Sequence, residues 1–295
     1  MFLTLLERSL SLARHNTATL FRTGWAYILV LVAVNAAIGA ALTPTAGFST
    51  VSYMTEPVAA ADEGGLRLLA VLANALLGFS IAIAYVRRIL IDARDFPLSF
   101  GRRTANVILN QILLSLIGLA ALIPLALAAV LLAAVTAGIG LVLLFAAPFI
   151  SLMVVQKFSV VLPAAAVDDP LTLKESWRAT SGLGWAMAFS ALIMSLLAGC
   201  LVGLWTLVLH AFGAVLPADP AAIQIRSALF PAGLTLIGVW SFASLHATFY
   251  GLIRERFAAR LGLTRADRET ADARRLLARE KVEKALARVR RLRKP

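Results

Sequence analysis

The sequence predicts an all-α fold: a polytopic membrane helix bundle of about six transmembrane helices, both termini cytoplasmic, with a basic helical C-terminal tail. Three observations predict it. Hydrophobic residues make up 60% of the 295-residue chain and charged residues 15%, less polar character than a soluble domain needs. The apolar residues cluster in stretches of about 20 or more, the length that crosses a hydrocarbon core about 30 Å thick. All Lys and Arg residues except Arg67 and Arg226 fall in alternate segments between those stretches, the bias that marks cytoplasmic loops.

The elements follow in order. Residues 1–23 form an N-terminal segment with Leu3, Leu6, Leu10 and Ala13 at helical spacing and Arg8 and Arg14 off that face. This predicts a short amphipathic helix lying on the cytoplasmic surface; a frayed terminus is the alternative. The spans are Gly24–Leu42, Leu66–Tyr85, Asn106–Ala134, Ile139–Val161, Trp185–Phe212 and Leu229–Leu252. The first reads as a retained anchor, because its apolar core is longer than that of a cleaved signal. None alternates with the period of a barrel strand, so backbone polar groups in lipid must be satisfied within helices. A six-helix domain over 24–257 and a tail over 258–295 complete the organisation.

No charge occurs from Thr104 to Gln156. One helix of that length would run about 80 Å at 1.5 Å per residue, so it must fold back, and the glycines of "TAGIG", 136 to 140, are expected to make the turn. Pro124 and Pro148 interrupt the two spans and are candidate kinks. Cys200, the single cysteine, is expected to be a buried packing residue.

The stretch "VVLPAAAVDDPLTLKESWRATSGLGW", 160 to 185, returns polarity to the chain. Pro163 marks a helix end. Asp168 and Asp169 are a candidate helix cap or polar cluster, with Asp169 as N-cap and Pro170 in the first turn. A helix over 172–180 would end in a left-handed cap at Gly182. Trp177 and Trp185 suit the headgroup layer, and Lys174 and Arg178 can reach lipid phosphates, which makes these four the candidate lipid-contacting residues.

The stretch from Phe158 to Trp185 resembles a signature loop of a broad group of bacterial inner-membrane proteins. In that group a span ending in Leu-Pro-Ala leads to an acidic turn, a Ser-Trp-Arg helix and a Gly-x-x-Trp start of the next span. The group includes the membrane domain attached to some glycerophosphodiester phosphodiesterases and stand-alone proteins of unassigned activity. The six-span layout extends the resemblance loosely to about residue 255. It implies a multi-pass protein of a bacterial-type inner membrane. It does not imply phosphodiesterase activity, which in that group resides in a separate soluble barrel that this length does not accommodate. The basic tail after Arg260 has no counterpart in the pattern.

Ionisable groups inside the spans are few. His210 and His246 read as interfacial or hydrogen-bonded histidines, since no carboxylate accompanies them as a proton relay requires. Asn35, Asn74, Asn110 and Gln111 read as interhelical glue, or as the lining of a polar pathway. No nucleotide, hydrolase or metalloprotease motif occurs, and nothing calls for a metal or cofactor. The tail, 264 to 295, is rich in Ala, Leu, Arg and Glu and strongly basic. It predicts a helix that binds anionic lipid. A protein partner or homo-oligomer is a further expectation; nucleic acid is not, because the tail offers no aromatic stacking platform.

These features suit a non-enzymatic membrane protein with an accessory, scaffold or lipid-organising role. Two alternatives stand beside it. A transporter or channel for a small apolar or lipid-like solute would use the proline kinks and the intramembrane amides. An interfacial enzyme would need Asp168, Asp169 and Arg178 to converge.

Overall fold

The structure is a computed structural model that describes residues 2–42, 61–93, 100–169, 171–215 and 220–260. Every regular element among them is an α-helix: α1 Phe2–His15, α2 Thr17–Leu42, α3 Ala61–Ile91, α4 Arg102–Val135, α5 Ala137–Phe158, α6 Val161–Ala166, α7 Leu173–Ala179, α8 Gly184–Val215 and α9 Pro220–Arg260. Six segments are long and apolar enough to cross a membrane: Thr17–Ala41, Leu68–Ile91, Arg102–Val135, Gly140–Ala166, Gly184–Val215 and Ala221–Arg256. The protein is an all-α polytopic membrane helix bundle. Its chain divides into a unit over Met1–Tyr250, which holds the packing below, and a unit over Gly251–Pro295. The basic tail lies outside the described residues.

One buried layer is built by α2, α3 and α9. Leu20, Tyr27, Leu31, Leu77, Ile81 and Tyr85 are buried together with Val239 and Ala243. Apolar burial is no driving force between helices in lipid, so close approach and hydrogen bonds hold such layers together. Both devices occur. Gly24 lets α2 approach Ile81, and Gly78 lets α3 approach Thr235. The Asn35 and Asn74 amides each donate to the other at 2.9 Å. Each also donates to a carbonyl one turn back, Leu31 and Ala70, at 2.7 Å. The Tyr85 and Ser244 hydroxyls share a buried hydrogen bond of 2.9 Å between α3 and α9. The glue reading holds for this amide pair, whose donors are all engaged.

Helices α4 and α5 form an antiparallel hairpin. The expected glycine turn is absent: Thr136 alone separates the helices, at φ −139° and ψ 84°. Its hydroxyl donates to the Leu132 carbonyl at 2.9 Å. Gly140 serves packing instead. A Cβ on Gly140 would lie 2.1 Å from the backbone nitrogen of Ala133. Further along the hairpin, the Ser151 hydroxyl donates to the Gly118 carbonyl at 2.8 Å. Pro124 and Pro148 both lie inside continuous helices. Pro231, not singled out in the sequence, does the same in α9. Most of α4 is exposed, including Leu109, Leu116, Leu127 and Val130, and in a bilayer those side chains meet hydrocarbon.

Two expectations are corrected. Helix α1 forms, but its buried stripe is Leu5, Ser9 and Ala13, while Leu3 is 71% exposed. The stripe is rotated because α1 docks on protein: Phe2 meets Phe189 of α8 edge-to-face. The indole N–H of Trp240 in α9 donates to the Ala13 carbonyl at 3.0 Å and to the Thr17 hydroxyl at 3.1 Å. Cys200, expected to be buried, is exposed on α8.

Gly140→Leu should lower the unfolding midpoint in detergent, because the backbone of Ala133 cannot yield; overpacking of this kind costs about 1–3 kcal/mol. Gly138→Ala is the control, since a Cβ there meets nothing within 4 Å. Equal midpoints for wild type and Gly140→Leu would refute the close-approach role.

Candidate functional site

The polar loop begins where α5 stops. The Ser159 hydroxyl donates to the Gln156 carbonyl at 2.9 Å, and the chain turns into α6. Pro163 does not end a helix; it is buried within α6. Asp168 then takes a left-handed backbone, φ 58°, which Asp tolerates better than most residues.

The aspartates do not cap α7. Its N-cap is Thr172, whose hydroxyl accepts from the Glu175 backbone N–H at 3.3 Å while Glu175 accepts from the Thr172 N–H at 2.8 Å. This capping box draws the Glu175 carboxyl below its ordinary pKa, through hydrogen bonds from the Thr172 hydroxyl and then its backbone. Pro170 lies outside the described residues. Gly182 is left-handed at φ 77°, as expected.

The aspartates act across the bundle. Arg103 of α4 grips Asp168 with two bonds, Nε at 2.9 Å and a terminal nitrogen at 2.6 Å. Arg87 of α3 donates to the same carboxylate at 3.1 Å and to the Ala166 carbonyl at 2.9 Å. The hydrogen bond from Arg103 is the largest cause holding the Asp168 carboxyl below its usual range, against an opposing desolvation; the charges of Arg103 and Arg87 add to it. Asp169 accepts a 2.6 Å bond from the Tyr250 hydroxyl of α9. The Asp-Asp pair is therefore a clasp joining the loop to α3, α4 and α9. Arg178 is exposed on α7 and is not among the bonded partners of Asp168 or Asp169.

Helix α7 is pinned from its other side. The hydroxyls of Ser176 and Thr180 both donate to the Lys157 carbonyl, at 2.7 and 3.2 Å. Trp177 stacks on Phe158 with centroids 5.2 Å apart, and the Lys157 ammonium lies 3.2 Å from its ring centroid. Trp177 remains 40% exposed and Trp185 50%, and Lys174 is exposed as well.

Two cavities adjoin this assembly. The first, of about 600 Å³, lies between α2, α3 and the start of α4. Arg22, Arg88, Arg102 and Arg103 line it, with Asp168 as the single carboxylate among the described residues of the lining. Arg88 pairs with Asp92 at 2.9 Å, and Arg103 with Asp168. Among the described residues Arg22 and Arg102 have no ion pair. The first turn of α4 also opens here, behind an N-cap, Gly101, that makes no side-chain cap bond. The second cavity, of about 560 Å³, lies between α3, α4, α5, α6 and α9, and among the described residues its lining carries no charge. Asn74 and Gln111 line it, while Asn35 and Asn110 do not. His246 lines it too, with its Nε2 buried and unpartnered, so the expectation of a hydrogen-bonded His246 is corrected. Ile83 borders both cavities.

Sequence reading missed the arginine cavity because its members come from three distant segments; their count was visible, their convergence was not. No family model, no curated protein and no solved structure matches the chain.

Asp168→Asn should destabilise the bundle by on the order of 2 kcal/mol. Removing one partner of a fully buried pair costs about 3–5 kcal/mol, and Asp168 is 41% exposed, so water offsets part of the loss. The folded-state pKa lies below the ordinary 3.8. The clasp therefore contributes fully at neutral pH and is lost only as pH falls below about 4. Thermal unfolding from pH 7 to pH 3 checks this: the gap between wild type and Asp168→Asn should narrow toward the acid end. Parallel curves would contradict it.

Proposed function

We propose that the protein is a non-catalytic integral membrane protein that binds an anionic lipid at its cytoplasmic surface, in a lipid-organising role. The headgroup phosphate sits among Arg22, Arg88, Arg102 and Arg103. The observation that carries this reading is their convergence on one cavity whose described lining holds a single carboxylate. Guanidinium groups match phosphate with paired N–H donors, and the positive end of α4 adds to the same field. Trp25 lines the cavity, as suits the headgroup layer. The positive-inside bias supports a cytoplasmic placement, in a bacterial-type inner membrane. Trp177, Trp185, Lys174 and Arg178 extend the lipid-facing surface, and the basic tail adds attraction for anionic headgroups.

The enzyme reading depended on Asp168, Asp169 and Arg178 meeting, and both aspartates are engaged elsewhere. The polar-pathway reading depended on four amides, of which Asn35 and Asn74 are committed to each other.

The test is lipid retention by native mass spectrometry from nanodiscs containing phosphatidylglycerol and phosphatidylcholine. Wild type should retain phosphatidylglycerol selectively. Each basic residue near the surface contributes about 1 kcal/mol, so Arg22→Gln combined with Arg102→Gln should weaken retention roughly thirtyfold. Equal retention by wild type and the double variant would sink the reading.

A further inference from the structure

The arginine cavity bears on the class of phosphate it takes, an inference that rests on the anionic-lipid reading. Membrane lipids carry phosphate in two common forms. A phosphodiester has one negative charge and two terminal oxygens. A phosphomonoester has three terminal oxygens, and its second proton leaves with a pKa of about 6.

Charge separates the two. Among the described residues of the lining are four guanidiniums and one carboxylate. Arg88 pairs with Asp92, and Arg103 shares Asp168 with Arg87. Arg22 of α2 and Arg102 of α4 have no ion pair among the described residues. Both are exposed, so a ligand reaches them without breaking a contact. Two positive charges thus border one cavity without a countercharge. A dianion meets both, and a monoanion leaves one in excess. Guanidiniums also bind phosphate through paired N–H donors. Further donors stand by: Thr19, Trp25, Thr104 and Asn106 line the cavity, and their side chains make no hydrogen bond among the described residues. The Thr23 and Ser80 hydroxyls, in the same lining, are spent on the Thr19 and Leu76 carbonyls at 2.8 and 2.9 Å. A third terminal oxygen gives the remaining donors another acceptor.

The apolar side of the cavity indicates the source. Trp25 is exposed, and so is Leu29, four residues deeper on the same face of α2. An acyl chain leaving the cavity has that strip to follow. A free phosphate makes no use of it.

We propose that the cavity binds the dianionic phosphomonoester of a membrane lipid of the phosphatidate type, its charge countered by Arg22 and Arg102 and its chains beside Trp25 and Leu29. The test is retention by the full chain in nanodiscs of phosphatidate, phosphatidylglycerol and phosphatidylcholine with the same acyl chains, at pH 8 and pH 5. At pH 8 phosphatidate should be preferred about tenfold over phosphatidylglycerol, the effect of one further charge beside basic groups at this surface. At pH 5 the second proton is back on the phosphate, and the preference should disappear. The charged groups around the site are Arg22 of α2, Arg87, Arg88 and Asp92 at the end of α3, Arg102 and Arg103 of α4, and Asp168 of the loop. Any of these, or His15 at the end of α1, that takes up a proton on acidification makes the site more positive. That change would strengthen the hold on anions, so a preference lost at pH 5 comes from the ligand. Arg22→Gln with Arg102→Gln should bring the two anionic lipids level at pH 8, at an unchanged melting temperature; should that variant unfold, the wild-type comparison across pH decides alone. Glycerol 3-phosphate at millimolar concentration carries the same group without chains and should not displace phosphatidate; displacement would overturn the lipid source. Equal retention of the two anionic lipids at pH 8, both above phosphatidylcholine, or a preference indifferent to pH, would overturn this proposal and leave the anionic-lipid reading standing. Retention of neither above phosphatidylcholine would overturn both.

Discussion

The carboxylate of Asp168 is the contact on which the arginine-rich end of the bundle depends. Arg87 is only 9% exposed at its side chain. A guanidinium so far from water is tolerable only when it is paired and its remaining donors are met. Asp168 supplies the charge and the Ala166 carbonyl takes another donor. That requirement fixes the loop against α3. The same carboxylate then fixes the first turn of α4 through Arg103. The left-handed backbone at Asp168 is a local strain that these long-range bonds offset.

The clasp also sorts the arginines. Arg87 and Arg103 share the single charge of Asp168, so the clasp offsets one of their two charges. Arg22 and Arg102 face the cavity without an ion pair among the described residues. A positive-inside bias accounts for basic residues at this end of the bundle but not for their gathering around one cavity. The gathering follows from packing: α2 lies against α3, and Arg103 draws α4 to the loop.

What the sequence made legible was whatever depends on near neighbours. Six spans follow from runs of apolar residues, and the reversal between α4 and α5 follows from the length of one uncharged run. Gly182 was readable because a left-handed helix end favours glycine. The partners of Asp168 and Asp169 were not, because they lie 65, 81 and 81 residues away. The cap was misassigned for a related reason: Asp169 and Thr172 are both good cap residues, and tertiary bonding to Tyr250 took the first. The turn at Thr136 was misread because glycine suits close helix packing as well as turns, and the sequence does not distinguish the two uses. His246 looked ordinary because an unmet nitrogen is a property of the surroundings, which come from five helices.

The two cavities make opposite demands, and that bears on what the protein can do with them. A phosphate moved from the arginine pocket into the second cavity would leave its countercharges and enter a lining with no charged group among the described residues; the penalty for an unpaired charge in such a place is large. An uncharged hydroxyl in the arginine pocket would gain little over what water already gives it. The two linings are therefore chemically opposed, which argues against a single solute passing from one to the other. They are nevertheless not remote. Ile83 of α3 borders both, and α3 carries Arg87 into the clasp. A shift of α3 that widened one cavity would act on the other, and linkage requires any resulting change in affinity to be reciprocal. One helix thus borders a basic cavity and an apolar one, and its position bears on both.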